Sequence, residues 1–149
     1  AIIIQGGEQW RPIVHVKDAA EAFISVALAE PDKVNGEVFN VGGTDQNYKM
    51  KDLAELIGKA IGEIDGAAQK FKIIVQELHS DFRSYCVSFE KIKKQIGFEP
   101  AIMPASGAKE IYNALKTNQI NNAPHTKTID WYKHLLSINP QILDPAIFP

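Results

Sequence analysis

Cysteine is almost missing from this chain: Cys86 is the only one among 149 residues. One thiol can neither close an internal disulfide nor furnish a zinc cage, which points to a reducing compartment or to no redox constraint at all, with the cytoplasm as the default expectation. Long apolar runs are missing as well. No stretch approaches the roughly 18 uninterrupted residues a membrane span needs, and the opening Ala1-Ile-Ile-Ile-Gln-Gly-Gly has neither the basic start nor the apolar length of a secretory leader. A membrane partner is therefore not expected. Charge of one sign is missing too, since 16 Lys plus Arg stand against 18 Asp plus Glu and leave a net charge of −2. The lysines are scattered, with no basic stripe to neutralise a phosphate backbone, so nucleic acid is not an expected partner. Arginine itself is scarce, with only Arg11 and Arg83.

What is present is an ordinary globular composition, 45% hydrophobic and 23% charged. That is enough for a core without staples in one domain spanning 1–149, with 121–149 as a carboxy-terminal extension. Because the first residue is Ala rather than Met, a processed protein or a piece of a longer one is expected.

Arg11-Pro-Ile-Val-His-Val16 reads as a β-branched strand, placed at an edge by Pro12. Asp18-Ala-Ala-Glu21 reads as a capping-box variant opening a helix, with Ala20, Phe23, Ile24, Ala27 and Leu28 at helical spacing and Pro31 as its stop. Gly36-Glu-Val-Phe-Asn-Val-Gly42 is a nearly continuous apolar run bounded by glycines, which suits a strand covered on both faces. Met50, Leu53, Leu56, Ile57, Ala60 and Ile61 predict an amphipathic helix ending at Gly62. Phe71–Val75 and Arg83–Val87 read as extended. Ser88 is a candidate cap for a helix on Phe89, Ile92 and Ile96 that stops at Gly97, and Ser106 caps another through Ile111 and Leu115. Ile129, Tyr132, Leu135 and Leu136 make the last.

The layout is α/β, with about five short strands interleaved with about five helices and a sheet that lacks flanking strands for 36–42. An incomplete sheet hints at a missing half.

Chemistry-bearing motifs are few. Both arginines lie in strand-like segments beside aromatics, Trp10 and Tyr85. A guanidinium offers a planar fork for phosphate or carboxylate, while the structural alternative is a local ion pair with Asp18 or Asp81. His15, between Val14 and Val16, is a proton carrier or phosphate ligand on one reading and a satisfied core histidine on the other. His79, His125 and His134 are isolated, so no metal site is expected. There is no G-x-S-x-G elbow, and Cys86 carries no sign of thiolate activation. Gly42-Gly43 lacks the spacing of a dinucleotide fingerprint, the next glycine being Gly58. Tyr112-Asn-Ala-Leu-Lys116 matches a loose Y-x-x-x-K pattern without a cofactor loop before it, and is read as a chance match.

Taken in order, Gly6-Gly-Glu-Gln-Trp-Arg-Pro-Ile-Val-His-Val-Lys-Asp18, Gly36-Glu-Val-Phe-Asn-Val-Gly42 and Asp81-Phe-Arg-Ser-Tyr85 with Ile92–Phe98 resemble the carboxy-terminal part of an extended short-chain dehydrogenase/reductase. More narrowly, they resemble the NAD-dependent epimerase/dehydratase family acting on nucleotide sugars. The likeness runs from Ile2 to about Leu115. It implies a Rossmann-type fold whose cofactor, NAD or NADP, sits on an amino-terminal domain absent from this chain, together with the catalytic Tyr and Lys. No catalytic, cofactor-binding or metal residue is therefore expected here, and the chain alone is expected to be inactive.

The resemblance assigns this chain the substrate side. Arg11 matches an arginine contacting the diphosphate, Ile13 a position lining the nucleotide pocket, and Asp81 and Tyr85 positions flanking the nucleotide. Arg83 replaces a second phosphate-contacting arginine whose usual places are Glu77 and Leu78 here. Residues 36–42 match a strand that joins the Rossmann sheet. The implied reaction is transient oxidation of a sugar carbon, inversion or loss of water, and return of the hydride, that is, isomerase, lyase or oxidoreductase chemistry. The partners are a nucleotide sugar and the missing Rossmann domain, and a homodimeric parent is left open. The competing readings are a non-catalytic interaction or regulatory module of the same fold, and a reductase of small ketones. Two arginines suited to phosphate speak against the second.

Overall fold

The structure is a computed structural model and describes residues 1–64, 72–77, 83–120 and 123–143. The chain forms two compact units, 1–112 and 113–149.

Unit 1 opens with β1 (Ile2–Gln5), which runs parallel to β4 (Ile73–Gln76) in the register Ile2↔Ile73 to Gln5↔Gln76. Between them, β2 (Trp10–Pro12) pairs antiparallel with β3 (Asn47–Lys49). Four short strands in two separate pairs make every described strand an edge, as Pro12 requires of β2. The expected strand from Arg11 to Val16 is cut short because the chain turns into α1 (Val16–Leu28) immediately afterwards.

Asp18 does not cap that helix. His15 does, its Nδ1 accepting from the Lys17 amide at 3.2 Å, while the Asp18 carboxylate, 5% exposed, turns inward and accepts the amides of Ala101 and Ile102, both at 3.0 Å. A buried carboxylate needs such donors, and a loop with two adjacent free amides supplies them better than the helix start does.

A short α2 (Pro31–Val34) follows, started by proline at its first turn. The expected strand over 36–42 is not formed. Those residues are irregular, with Phe39 and Val41 packed on the core and Val38 81% exposed. A strand exists only by pairing, and among the described residues none pairs with this one. α3 (Met50–Gly62) matches its periodicity. No side chain caps it; its first amides, Met50 and Lys51, donate instead to the carbonyls of Gln9 and Gly7 at 3.1 and 3.0 Å.

Residues 83–87 are irregular rather than a strand, holding to β2 through Tyr85 N–H, which donates to the Trp10 carbonyl at 3.3 Å. Phe71, expected to open β4, lies outside the described residues. α4 (Glu90–Ile96) starts one residue after its cap Phe89, and the Ser88 hydroxyl accepts from the Glu90 amide at 3.5 Å. It ends where Gly97 takes the left-handed conformation, φ +73°. α5 (Pro104–Lys116) begins two residues before the expected cap Ser106. The core joins Ala22 of α1 to Phe89, Ile92 and Phe98, and Ile92 is fully buried.

The apolar stripe of α1 points outward: Phe23 is 79% and Leu28 82% exposed. Its buried residues are Asp18 and Ala22.

Unit 2 contains a 3₁₀ turn (Pro124–Thr126), α6 (Thr128–Ile138) and a second 3₁₀ turn (Pro140–Leu143). Trp131 is stacked on His134 with ring centres 5.3 Å apart and meets the edge of His125 at 6.3 Å.

Candidate functional site

The site grows from β2. Trp10 and Tyr85 are linked through backbone, the Trp10 amide donates to the Ser84 hydroxyl at 3.0 Å, and Arg11 follows on the same strand. Arg11 Nη1 donates to the carbonyl of Trp10 at 2.8 Å and also to the carbonyl of Arg83. Its guanidinium lies over the Tyr85 ring, 5.3 Å from the centroid, within the range of a cation–π contact. The strand and the 83–85 segment are thus laced together by the arginine itself, and the fork is held in place before any ligand arrives. Arg11 is not paired with Asp18, whose two oxygens are taken up by the amides of Ala101 and Ile102.

Beyond Arg11 the chain lines a small apolar cavity of about 210 Å³, walled by Ile13, Val14, Asn40, Val41, Val87 and Phe89. Ile13 is fixed there by its amide, which donates to the Gln46 carbonyl at 2.9 Å. Of the residues singled out from sequence, Arg11 and Tyr85 come together, Arg83 joins them through its backbone carbonyl, and Ile13 lies two residues along the same strand path. Asp81 lies outside the described residues.

One contributor was not visible in the sequence. Asn47 forms a two-point amide clasp with Val87, accepting its N–H at 2.9 Å and donating to its carbonyl at 3.0 Å, which aligns 83–87 beside β3. An asparagine inside a short extended run was the available signal, because such an amide can stand in for a backbone partner. Trp10, the aromatic beside Arg11, has the Lys49 ammonium 6.0 Å from its ring centre while that lysine is paired to Glu8 at 2.7 Å.

A larger cavity, about 320 Å³, lies between Gly42-Gly43 and α4. Asp45, Glu90 and Glu99 face it with Lys93, and Lys93 is already paired to Glu99 at 2.9 Å. Carboxylates in that excess repel a diphosphate, so the Arg11 region is the better candidate. His15 takes part in neither cavity. It is the α1 cap, and its Nε2 lies 3.4 Å from Glu110, which also receives Lys17 at 2.8 Å. Among the described residues no group of His, Cys, Asp and Glu could hold a metal ion, and no helix is long and apolar enough to cross a membrane.

Comparison with known proteins finds similarity over parts of the chain. Residues 1–42 match the model of the NAD dependent epimerase/dehydratase family. CDP-paratose 2-epimerase of Salmonella typhi is 30% identical over 108 residues, covering 72% of this chain and 30% of that enzyme. UDP-D-apiose/UDP-D-xylose synthase 2 of Arabidopsis thaliana is 31% identical over 64 residues, 43% of this chain and 16% of the relative. The fold is shared with UDP-glucuronic acid 4-epimerase of Bacillus cereus, solved with UDP-glucuronic acid and NAD, at TM-score 0.58 and 18% identity over 78% of this chain and 35% of that one. The chain spans about a third or less of the length of these relatives.

Proposed function

We propose that this chain, which belongs to the extended short-chain dehydrogenase/reductases of the NAD-dependent epimerase/dehydratase family, supplies the nucleotide-sugar grip of a longer enzyme. Arg11 holds the diphosphate, Tyr85 fixes the guanidinium plane, Arg83 and Asp81 flank the nucleotide, and Ile13 walls an apolar recess beside it. The observation that carries this reading is the fixed fork of Arg11, stacked on Tyr85 and bonded to the carbonyls of residues 10 and 83. A planar cation immobilised in advance loses little freedom on binding.

NAD or NADP supplies the redox chemistry in this family. No glycine-rich phosphate loop occurs among the described residues to hold it, so hydride and proton transfer are assigned to a Rossmann domain outside these 149 residues. Residues 36–42 join the sheet of that domain. This chain contributes binding energy from the part of the substrate that does not react, and uses it to orient the sugar.

The test is titration of the chain with UDP and dTDP while following indole fluorescence, since Trp10 adjoins Arg11. Saturable quenching is expected. Arg11→Ala should weaken it at least about tenfold, because a charge-assisted contact contributes about 1.5–3 kcal/mol. Silence in the parent chain, or equal affinity in the variant, overturns the assignment and favours a module that binds protein rather than nucleotide.

A further inference from the structure

The sheet face that carries Arg11 extends to both sides of it. On one side the strand register sets Tyr48 directly opposite Arg11, while the flanking pairs, Trp10↔Lys49 and Pro12↔Asn47, fall on the other face. Gln9 and Ile13 also bond toward that side, to the Met50 amide and the Gln46 carbonyl. The backbone of Trp10 turns the opposite way, its N–H donating to the Ser84 hydroxyl and its carbonyl accepting the Tyr85 N–H. The 83–87 segment thus runs along the second flank of β2 and brings the Tyr85 ring against the Arg11 guanidinium. Tyr48, Arg11 and Tyr85 are neighbouring rungs on one face, with the cation in the middle.

The two tyrosines are not equivalent. Tyr85 is engaged through its ring. Tyr48 is half-buried, and among the described residues its hydroxyl has no hydrogen-bond partner. A phenol offers one donor and two acceptor positions, and a partly buried one usually finds a partner.

We infer that Tyr48 is a further binding residue of the nucleotide grip, its hydroxyl donating to the diphosphate that Arg11 holds. The inference rests on the reading of Arg11 as a diphosphate clamp and adds a second donor to it. An O–H group set beside a guanidinium calls for a group that accepts from both, and an anionic oxygen does so where a nucleobase edge, with donors of its own, does not. Neighbouring strands lie about 5 Å apart, a span that the several oxygens of a diphosphate cover.

Tyr48→Phe tests it, since the variant keeps the ring and its β-forming character and deletes only the oxygen. UDP is titrated into the parent chain and the variant while indole fluorescence is followed, and inorganic pyrophosphate is then used as the competitor. The dissociation constant for UDP should rise at least about fivefold, because a hydrogen bond to a charged group is lost, and the inhibition constant of pyrophosphate should rise by the same factor. The urea midpoint should stay where it is, because no protein partner is removed. Equal UDP affinity in parent and variant overturns the inference and leaves the Arg11 clamp standing. A loss for UDP alone, with pyrophosphate unaffected or not competing, assigns the hydroxyl to the nucleoside and overturns it too. A lowered urea midpoint does the same by assigning the hydroxyl a structural partner. No UDP response in the parent chain refutes the clamp itself, and the inference falls with it.

Discussion

Two sides of unit 1 are built from equally apolar sequence and end differently. Around β2, every extended piece finds a partner, through the β2–β3 pairing, the Asn47 clasp on Val87 and the Arg11 contacts to residue 83. Along α1 and 36–42, the side chains are as hydrophobic but the helix stripe faces solvent and the backbone goes unpaired. Periodicity decides that a helix forms and which residues share its face. Whether that face is covered depends on what else folds against it, and 36–42 needs partners that the described residues do not contain.

The contrast can be broken by substitution, beginning at the interior. Ile92→Ala removes the fully buried centre of the core and should cost about 2–5 kcal/mol, read as a lower urea midpoint. Asp18→Asn replaces a buried carboxylate that accepts two amides. It should cost about 1.5–3 kcal/mol and speed exchange at Ala101 and Ile102, with little effect elsewhere. Phe23→Ala sharpens the comparison from the other side: in the 149-residue chain it should change stability by less than about 0.5 kcal/mol, although a phenylalanine is lost from an amphipathic helix. A loss as large as that of Ile92→Ala would mean that the stripe is covered after all.

The smallest effect is expected at Glu110. Its hydrogen bond from Lys17 holds its carboxyl below the ordinary range against the opposing pull of desolvation, with Lys17 and His15 adding their charge. A carboxylate so lowered stabilises the folded state in full above the ordinary carboxylate range, and that contribution is lost as pH falls on through its lowered folded value. Glu110→Gln should therefore lower the urea midpoint slightly at about pH 7 and not at about pH 3.

The locally determined parts of this fold were legible in the sequence. α3 follows its apolar spacing and ends where expected, and Gly97 stops α4 because an αL position favours a residue without Cβ. Partnerships distant in sequence were not legible. Asp18 has the spacing of a cap, yet its acceptors are engaged 83 and 84 residues away, and the imidazole of His15 takes over the cap because it lies one residue before the helix. The residues of the candidate site were readable one by one through their resemblance to a family. That Arg11 stacks on Tyr85 and reaches the carbonyl of residue 83 depends on the chain returning past β2, which no local pattern encodes.

Gly42 carries a wider consequence. A methyl group added there would meet the Phe89 ring at 2.7 Å, and that ring belongs to the core, to the wall of the apolar recess and to the wall of the acidic one. Any larger residue at position 42 therefore reshapes three spaces through one aromatic hinge, so this single locus limits how far sequence drift can remodel either recess without loosening the interior.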